Sequence, residues 1–136
     1  MQKQQLATCA CGSFKADCRD EPDRIAACNC TACQRRTGSV FGVGAYYQKS
    51  QVTLTGEYKK YTRTSDAGRW LNIFFCPNCG TSVAWESQVY PDIMGVAVGC
   101  FADKHYGKPI RVVFTEHKHD WVQFPDDAQQ FEKLPF

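Results

Sequence analysis

Seven of the nine cysteines in this 136-residue chain fall into three short groups with spacings typical of metal ligands. The groups are Cys9-Ala-Cys11, Cys28-Asn-Cys30-Thr-Ala-Cys33 and Cys76-Pro-Asn-Cys79. A tetrahedral zinc ion takes four protein ligands in a structural site, and three where one position is kept for water or substrate. The two pairs therefore predict one closed structural zinc site. The triplet predicts an open site, where chemistry is expected.

The two pairs differ in their expected local geometry. Cys9 and Cys11 are two residues apart, and in a strand such residues point to the same face, so that both sulfurs would reach one ion. Cys76-Pro-Asn-Cys79 followed by Gly80 has the form of a zinc knuckle, in which a tight turn presents both thiolates. Neither pair completes a tetrahedral site alone. We therefore expect all four cysteines to share one structural zinc.

The triplet spans two backbone geometries. Cys28 and Cys30 are placed at the end of an extended segment, whereas Cys30 and Cys33 are spaced as on the first turn of a helix. A zinc ion with three thiolates carries a net charge near −1 and holds a further sulfur ligand well. Arg35 and Arg36 follow directly and could offset that charge or bind a carboxylate of an anionic substrate. Two zinc ions per chain are the expected cofactors.

The fourth ligand of the triplet is left open by the sequence. It could be water, a substrate thiol or a distant histidine, namely His105, His117 or His119. A histidine would make the triplet a second structural zinc site, and His117 and His119 would share one strand face as a ligand pair. An iron–sulfur cluster is disfavoured because it would need a fourth cysteine. Cys18 and Cys100 lie in apolar stretches and are predicted to be small buried residues instead of ligands.

Length and charge limit the classes of function. One domain is expected at this length, with 43% hydrophobic residues to build its core. The N-terminus has no apolar signal-peptide core and no stretch is long enough for a membrane span, so a cytoplasmic protein without a membrane partner is predicted. A reducing compartment and an odd cysteine count disfavour disulfides. The formal charge of +2 becomes about −1 with seven thiolates and two zinc ions, so no nucleic-acid partner is expected.

Strand signals dominate the rest of the chain. Stretches rich in β-branched and aromatic residues predict strands at 13–18, 52–55, 58–62, 70–75, 82–85, 93–98 and 110–114. Turns are expected at Gly56, with the flanking strands paired as a meander, and at 65–68. Short helices are predicted at 31–37, with Thr31 as N-cap and a stop near Gly38, and at 126–133. The fold class is therefore a mainly β, antiparallel single domain with few short helices, whose loops carry the metal ligands.

As a set, these motifs are similar to those of a known family. They are Cys9-x-Cys11-Gly12, Cys28-x-Cys30-x-x-Cys33 followed by Arg35 and Gly38, Phe75-Cys76-x-x-Cys79-Gly80-Thr81, and Gly99 before Asp103. The set resembles the glutathione-dependent formaldehyde-activating enzyme family, which includes centromere protein V. The resemblance covers about residues 5–121. It leaves 122–136 as a C-terminal extension that we expect to pack on the same domain.

The resemblance implies a β-tent fold with two zinc ions. The structural zinc would lie on Cys9, Cys11, Cys76 and Cys79, and the catalytic zinc on Cys28, Cys30 and Cys33. The family's named reaction joins formaldehyde to the thiol of glutathione, giving S-hydroxymethylglutathione, and its members are generally grouped as carbon–sulfur lyases. The expected function is therefore a zinc-dependent carbon–sulfur lyase acting on a small glutathione-like thiol and an aldehyde adduct. The alternative is a non-catalytic, zinc-stabilised binding module for a thiol or a protein partner.

The chain departs from the family pattern near its end. The family often has a Pro-x-x-His-Ile-Trp-like segment, whereas residues 115–121 keep His117 and Trp121 but change the order of the rest. The glutathione contacts of the family are therefore not assigned to residues of this chain.

Overall fold

The computed structural model describes residues 3–65 and 68–135. Within them the chain forms eleven strands and one α-helix: β1 (Gln4–Thr8), β2 (Lys15–Arg19), β3 (Arg24–Cys28), α1 (Thr31–Thr37), β4 (Gly42–Gln48), β5 (Val52–Thr55), β6 (Lys59–Thr64), β7 (Trp70–Phe75), β8 (Ser82–Ser87), β9 (Ile93–Ala97), β10 (Arg111–Val113) and β11 (Gln129–Gln130). Single turns of 3₁₀ helix lie at Lys49–Gln51, Val98–Phe101 and Thr115–His117. The prediction of a mainly β chain with few short helices is confirmed. None of the helices in the described ranges is both long and apolar enough to cross a membrane.

The strands form two open sheets. The small sheet has the order β1-β2-β5, and the large sheet has the order β11-β10-β3-β4-β9-β8-β7-β6. The pairing is antiparallel, as predicted, except at one edge, where β10 pairs in parallel with both β3 and β11. The predicted meander at Gly56 is wrong because β5 pairs with β2 and β6 pairs with β7. Apolar packing explains this, since Val52 and Leu54 of β5 lie against the core beside β2.

The hydrophobic core lies between the small sheet and one face of the large sheet. Its fully buried members include Phe14, Ala16 and Cys18 from the small-sheet side and Tyr47 and Val96 from the large sheet. Alternation along β2 points Ala16 and Cys18 inward, so Cys18 is the small buried residue that was predicted. The other face of the large sheet lines the cavities described below.

The helix α1 occupies the predicted residues, but its N-cap is Cys30 instead of Thr31. The Sγ atom of Cys30 accepts a hydrogen bond from the backbone N–H of Cys33 at 3.3 Å. Gly38, at a φ of 72°, ends the helix where the sequence predicted, and its N–H donates to the carbonyl of Gln34. Cys30, a candidate metal ligand, is therefore also the N-cap of the helix that carries the candidate ligand Cys33.

The second predicted helix, at 126–133, is wrong. This segment supplies β11, and beyond it the N–H of Phe131 donates to the carbonyl of Val112. The unpaired edge of β10 offers backbone hydrogen bonds that outweigh the weak helix propensity of a short polar segment. The predicted turn at 65–68 includes residues 66 and 67, which lie outside the described residues.

Gly56 is a position where only glycine fits. Its φ is +89°, and a Cβ atom built on it would lie 1.8 Å from the carbonyl oxygen of Ser13. We expect Gly56→Ala to lower the free energy of unfolding by about 2 kcal/mol, because alanine is strained at this φ and the carbonyl must also move. Gly68 has a φ of +78°, and apart from its chain neighbours no atom of the described residues lies within 4 Å of its Cβ position. The control Gly68→Ala should therefore lose only about 1 kcal/mol in urea unfolding. Equal losses for the two variants would contradict the close contact at Ser13.

Candidate metal centres and the cavity beside them

The two cysteine pairs meet in space, as predicted. The Sγ atoms of Cys9, Cys11, Cys76 and Cys79 all lie within 4.8 Å of one another. The sulfur of Cys11 is 3.6 Å from that of Cys9 and 3.7 Å from that of Cys76. With zinc–sulfur bonds of about 2.3 Å, a tetrahedral site places its sulfurs about 3.8 Å apart. The spacing of this four-cysteine cluster therefore fits a zinc ion.

A turn, and not a strand, brings Cys9 and Cys11 together. β1 ends at Thr8, and the N–H of Gly12 donates to the carbonyl of Cys9 at 3.0 Å. The expectation that both cysteines project from one strand face is therefore wrong, because the chain reverses between β1 and β2 at this point. The turn still places the two sulfurs side by side, so the pairing predicted from their spacing holds for a different local reason.

The second pair has the predicted knuckle geometry. Gly80 adopts a φ of 80°, and its N–H donates to the carbonyl of Cys76 at 2.8 Å. The N–H of Cys76 in turn donates to the carbonyl of Thr81 at 3.0 Å. The four-cysteine cluster thus ties the turn between β1 and β2 to the turn between β7 and β8, and so links the small sheet to the large one.

Hydroxyl groups beside the four-cysteine cluster favour its thiolates. Ser13 Oγ lies 3.1 Å from the sulfur of Cys11, and this contact is the main cause that lowers the pKa of Cys11 to about 7. Thr81 Oγ1 lies 3.3 Å from the sulfur of Cys79 and lowers the pKa of Cys79 to about 5. Zinc binds thiolates and not thiols. These contacts therefore favour the metal-binding form of Cys11 and Cys79, whereas the pKa of Cys76 is raised.

The predicted triplet also comes together. Cys28 ends β3, Cys30 caps α1 and Cys33 lies in the first turn of α1, so that their three sulfurs are within 4.8 Å of one another. Hydrogen bonds from the thiols of Cys28 and Cys33 lower the pKa of Cys30 to about 2, and the same contacts raise the pKa of Cys28. Three thiolates this close would repel one another, which disfavours ionisation of all three. A divalent cation would be needed to ionise all three near neutral pH.

No further histidine, cysteine or carboxylate of the described ranges joins the three-sulfur group. Glu116 and His117 line the same cavity as the triplet but are not members of the group. His117 ends a 3₁₀ turn, so the strand face predicted for His117 and His119 does not form. Within the described part of the chain, the triplet therefore has no fourth protein ligand and faces a cavity.

Asn29 is a residue of the site that the sequence did not reveal. It is fully buried, and both its backbone N–H and its Nδ2 donate to the carbonyl of Val113, at 3.1 and 3.0 Å. Gln34 Nε2 donates to the carbonyl of Asn29 at 2.8 Å. These bonds fix the segment between Cys28 and Cys30 against β10 and α1. A polar residue between two ligands was the only sequence signal, and it is not specific.

A cavity of about 570 Å³ opens beside the triplet. Its walls come from α1, from the face of the large sheet opposite the core, and from the segment after β10. Arg36 lines this cavity, with its guanidinium carbon 4.4 Å from the centre of the Trp85 ring, whereas Arg35 is exposed and lines neither this cavity nor the next. Of the two arginines singled out in the sequence, only Arg36 is therefore placed to meet a ligand.

A second chamber of about 310 Å³ adjoins this cavity, and Tyr46, Arg63 and Trp85 line both. The indole of Trp85 occupies space that two glycines leave free. A Cβ atom on Gly44 or on Gly95 would come within 2.6 or 2.2 Å of the ring. The two glycines thus seat the indole flat on the sheet, where it forms part of a common wall.

Cys18 and Cys100 lie outside both cysteine groups. Cys100 lies in the 3₁₀ turn Val98–Phe101 and is half-buried, whereas it was predicted to be buried. Burial raises the pKa of Cys18 to about 12 and that of Cys100 to about 11.

We expect iodoacetamide at pH 8 to leave the thiols of Cys18 and Cys100 unmodified in the folded protein. Cys11 and Cys79 lie at the surface, and we expect them to be alkylated once a chelator has removed the metal. Peptide mapping by mass spectrometry checks this, and modification of Cys100 before Cys11 would contradict it.

The fold and the site together define a class of protein. Two open β-sheets meet at a four-cysteine cluster that could hold a metal ion, and a three-cysteine group faces a cavity on the free face of the larger sheet.

A family model described as glutathione-dependent formaldehyde-activating enzyme matches residues 4–117, and the chain belongs to this family. The resemblance stated from the cysteine motifs is thereby confirmed. No curated relative matches the chain. Among solved structures, the crystal structure of a Rhodobacter sphaeroides protein is similar, with a TM-score of 0.53 and 18% sequence identity, covering 96% of this chain and 99% of that one. At this identity the likeness concerns the fold alone.

Proposed function

We propose that this protein is a zinc-dependent enzyme of the carbon–sulfur lyase type, which forms or cleaves the adduct between a small glutathione-like thiol and an aldehyde. The observation that carries the proposal is the grouping of Cys28, Cys30 and Cys33 on the wall of a cavity, with no fourth protein ligand among the described residues. The volume of about 570 Å³ is typical of small-molecule sites. Membership of a family described by a glutathione-dependent activity supports the same reading.

The two groups of cysteines support the proposal of two zinc ions per chain. The four-cysteine cluster would hold the structural ion, because its four ligands leave no position for substrate. The triplet would hold the other. When bound there, zinc would supply a position that keeps a substrate thiol ionised near neutral pH.

The side chains around the triplet would bind and orient the substrate. Arg36 and Arg63 line the cavity, and Arg63 lies close enough to the triplet to help lower the pKa of Cys30. Their guanidinium groups suit the carboxylates of a glutathione-like thiol. Cys28 and Asn29 are held by β3 and by the bonds to Val113, so the sulfur ligands stay fixed while substrate enters.

Tyr46 is the side chain that we assign to proton transfer. When the thiolate adds to the carbonyl carbon, the carbon–sulfur bond forms and the carbonyl oxygen must take up a proton; cleavage returns it. Tyr46 lines both the cysteine cavity and the adjoining chamber. Burial raises its pKa to about 12, against the effect of a hydrogen bond from Trp85, so the phenol keeps its proton at neutral pH. It can therefore act as a general acid.

We expect Tyr46→Phe to lower kcat by about tenfold to a hundredfold, with KM for the thiol and the metal content nearly unchanged, because only proton transfer is lost. Tyr61→Phe is the control, since Tyr61 is exposed on β6 and lines neither cavity. Steady-state kinetics with metal analysis of both variants makes the comparison. A Tyr46→Phe enzyme with unchanged kcat would remove the phenol from this role.

The activity itself is tested by exchange NMR with ¹³C-labelled formaldehyde and glutathione. The enzyme should raise the exchange rate between free and thiol-bound carbon above the spontaneous rate, and chelation of zinc should abolish the increase. If the protein binds glutathione but adds nothing to the spontaneous rate, the enzyme assignment fails and the non-catalytic binding module takes its place.

A further inference from the structure

The chamber that adjoins the cysteine cavity has a distinct chemical character. Its walls include the aromatic and aliphatic side chains of Tyr46, Trp70, Leu71, Trp85, Ile93 and Val113. Four arginines also line it, namely Arg24, Arg63, Arg69 and Arg111. Among its described lining residues the only carboxylate is that of Asp23, which accepts a hydrogen bond from Gln48 Nε2 at 2.6 Å. The chamber is thus apolar with an excess of positive charge.

Sheet register explains how the arginines come together. Arg111 of β10 is paired in register with Ala26 of β3, two residues after Arg24, so both arginines project from the same face of the sheet. Arg63 approaches from β6 at the far side of the sheet, opposite Leu71. The guanidinium groups therefore border the apolar wall from two sides.

These arginines are not neutralised by the described part of the chain. The ion pairs there join lysines or a histidine to carboxylates, and none includes Arg24, Arg63, Arg69 or Arg111. Guanidinium groups at the edge of an apolar chamber, where water is partly excluded, bind carboxylates in a bidentate manner more strongly than at an open surface. The charge of the chamber is therefore complementary to an organic anion.

Neither a minimal aldehyde nor a polar thiol accounts for these walls. Formaldehyde has a single carbon atom, and glutathione is a polar tripeptide without an apolar side chain. The side chains of Trp70, Leu71 and Ile93 instead offer apolar contacts to an aromatic or bulky apolar group. Because Trp85, Tyr46 and Arg63 line both spaces, one molecule can extend from the triplet into the chamber.

We infer that this chamber binds an apolar, carboxylate-bearing group of the aryl- or alkylacetate type, and that this group belongs to the carbonyl part of the adduct formed at the triplet. The preferred carbonyl substrate would then be an apolar aldehyde that also carries a carboxylate, and formaldehyde would be a smaller substrate that leaves the chamber empty. The link to the sulfur chemistry rests on the proposed function, whereas binding of the carboxylate by the chamber does not.

The test is isothermal titration calorimetry of the zinc-loaded full chain with 1-naphthylacetate and with its neutral amide, 1-naphthylacetamide. We expect the carboxylate to bind at least about tenfold more tightly than the amide, because only the carboxylate pairs with the arginines. Arg111→Gln and Arg24→Gln should each lower the affinity for the carboxylate by about tenfold and leave the affinity for the amide unchanged. Arg35→Gln is the matched control, since Arg35 is exposed on α1 and outside both cavities.

Two results would overturn the inference: a carboxylate that binds no more tightly than its amide, or wild-type affinity in both Arg24→Gln and Arg111→Gln. Using two variants guards against loss of fold in one of them, since Arg111 also lies 5.8 Å from the Phe131 ring. Glutathione binding and zinc content, measured on the same samples, separate this result from the proposed function. If naphthylacetate binds and glutathione does not, the carboxylate site in the chamber is supported and the proposed thiol chemistry is refuted. If glutathione binds and naphthylacetate does not, only the carboxylate site is refuted.

Discussion

Cys76→Ser is expected to remove one zinc ion and to lower the melting temperature by about 10 °C. Cys76 is fully buried and lies in the cluster that joins the turn between β1 and β2 to the turn between β7 and β8, so its loss separates two parts of the fold distant in sequence. Loss of a structural metal costs about 3 kcal/mol or more, and 1 kcal/mol corresponds to about 3 °C for a chain of this length. Differential scanning calorimetry and metal analysis measure both effects.

Cys100→Ser is the control for this experiment. Cys100 is half-buried, packs beside the core and belongs to neither cysteine group. It should retain two zinc ions and melt within about 3 °C of the wild type, as expected of a substitution outside the metal sites. If Cys76→Ser kept two zinc ions, or melted no lower than Cys100→Ser, the four-cysteine cluster would not be a structural metal centre.

Cys30→Ser is expected to lower the zinc content from two ions to one and the activity by at least about a hundredfold, while the fold is kept. Serine is a good N-cap, so the bond now made by the Cys30 sulfur to the N–H of Cys33 can be replaced by one to the hydroxyl. The triplet also spans few residues, so its cross-link restrains the unfolded chain little. Circular dichroism, metal analysis and the exchange assay together measure these outcomes.

The same substitution also distinguishes a catalytic from a structural triplet. A structural role predicts that Cys30→Ser melts far below the wild type, in the manner of Cys76→Ser. A catalytic role predicts a melting temperature within a few degrees of the wild type and no activity. A Cys30→Ser protein that is fully metallated and active would contradict the assignment of the triplet.

Both cysteine groups were predictable because metal ligands are recognised by type and short spacing. The division of the seven cysteines into a group of four and a group of three needed no knowledge of the fold. The resemblance to the family rested on the same residues. The end of helix α1 was predicted correctly because Gly38 provides a specific backbone stop, whereas the N-cap is one residue earlier than predicted. Local rules were reliable where one local interaction decides the structure.

The incorrect predictions fell where distant segments compete for the backbone. A helix was predicted at 126–133, but this segment pairs with the free edge of β10. A meander was predicted at Gly56, but β5 pairs with β2. Cys9 and Cys11 were placed on a strand because the turn made at Gly12, which has a φ of 83°, was not recognised. Strand order and register depend on contacts between segments that are distant in the chain, and short sequence patterns do not reveal those contacts.

The chamber and the proton donor could not be predicted for the same reason. Tyr46, Trp85 and Arg111 lie on strands far apart in the chain and share one sheet face only through the register of β3, β4, β8, β9 and β10. In the sequence, Tyr46 and Trp85 are ordinary strand aromatics and Arg111 is one of many scattered basic residues. Asn29 is likewise explained only by its contacts with Val113.

The central claim is that the triplet holds a zinc ion whose remaining position accepts a thiol, and native mass spectrometry with and without glutathione tests it most directly. The account predicts two zinc ions per chain and a glutathione adduct in the wild type, with one zinc ion and no adduct in Cys30→Ser. A single zinc ion in the wild type, or an adduct that persists in Cys30→Ser, would contradict it.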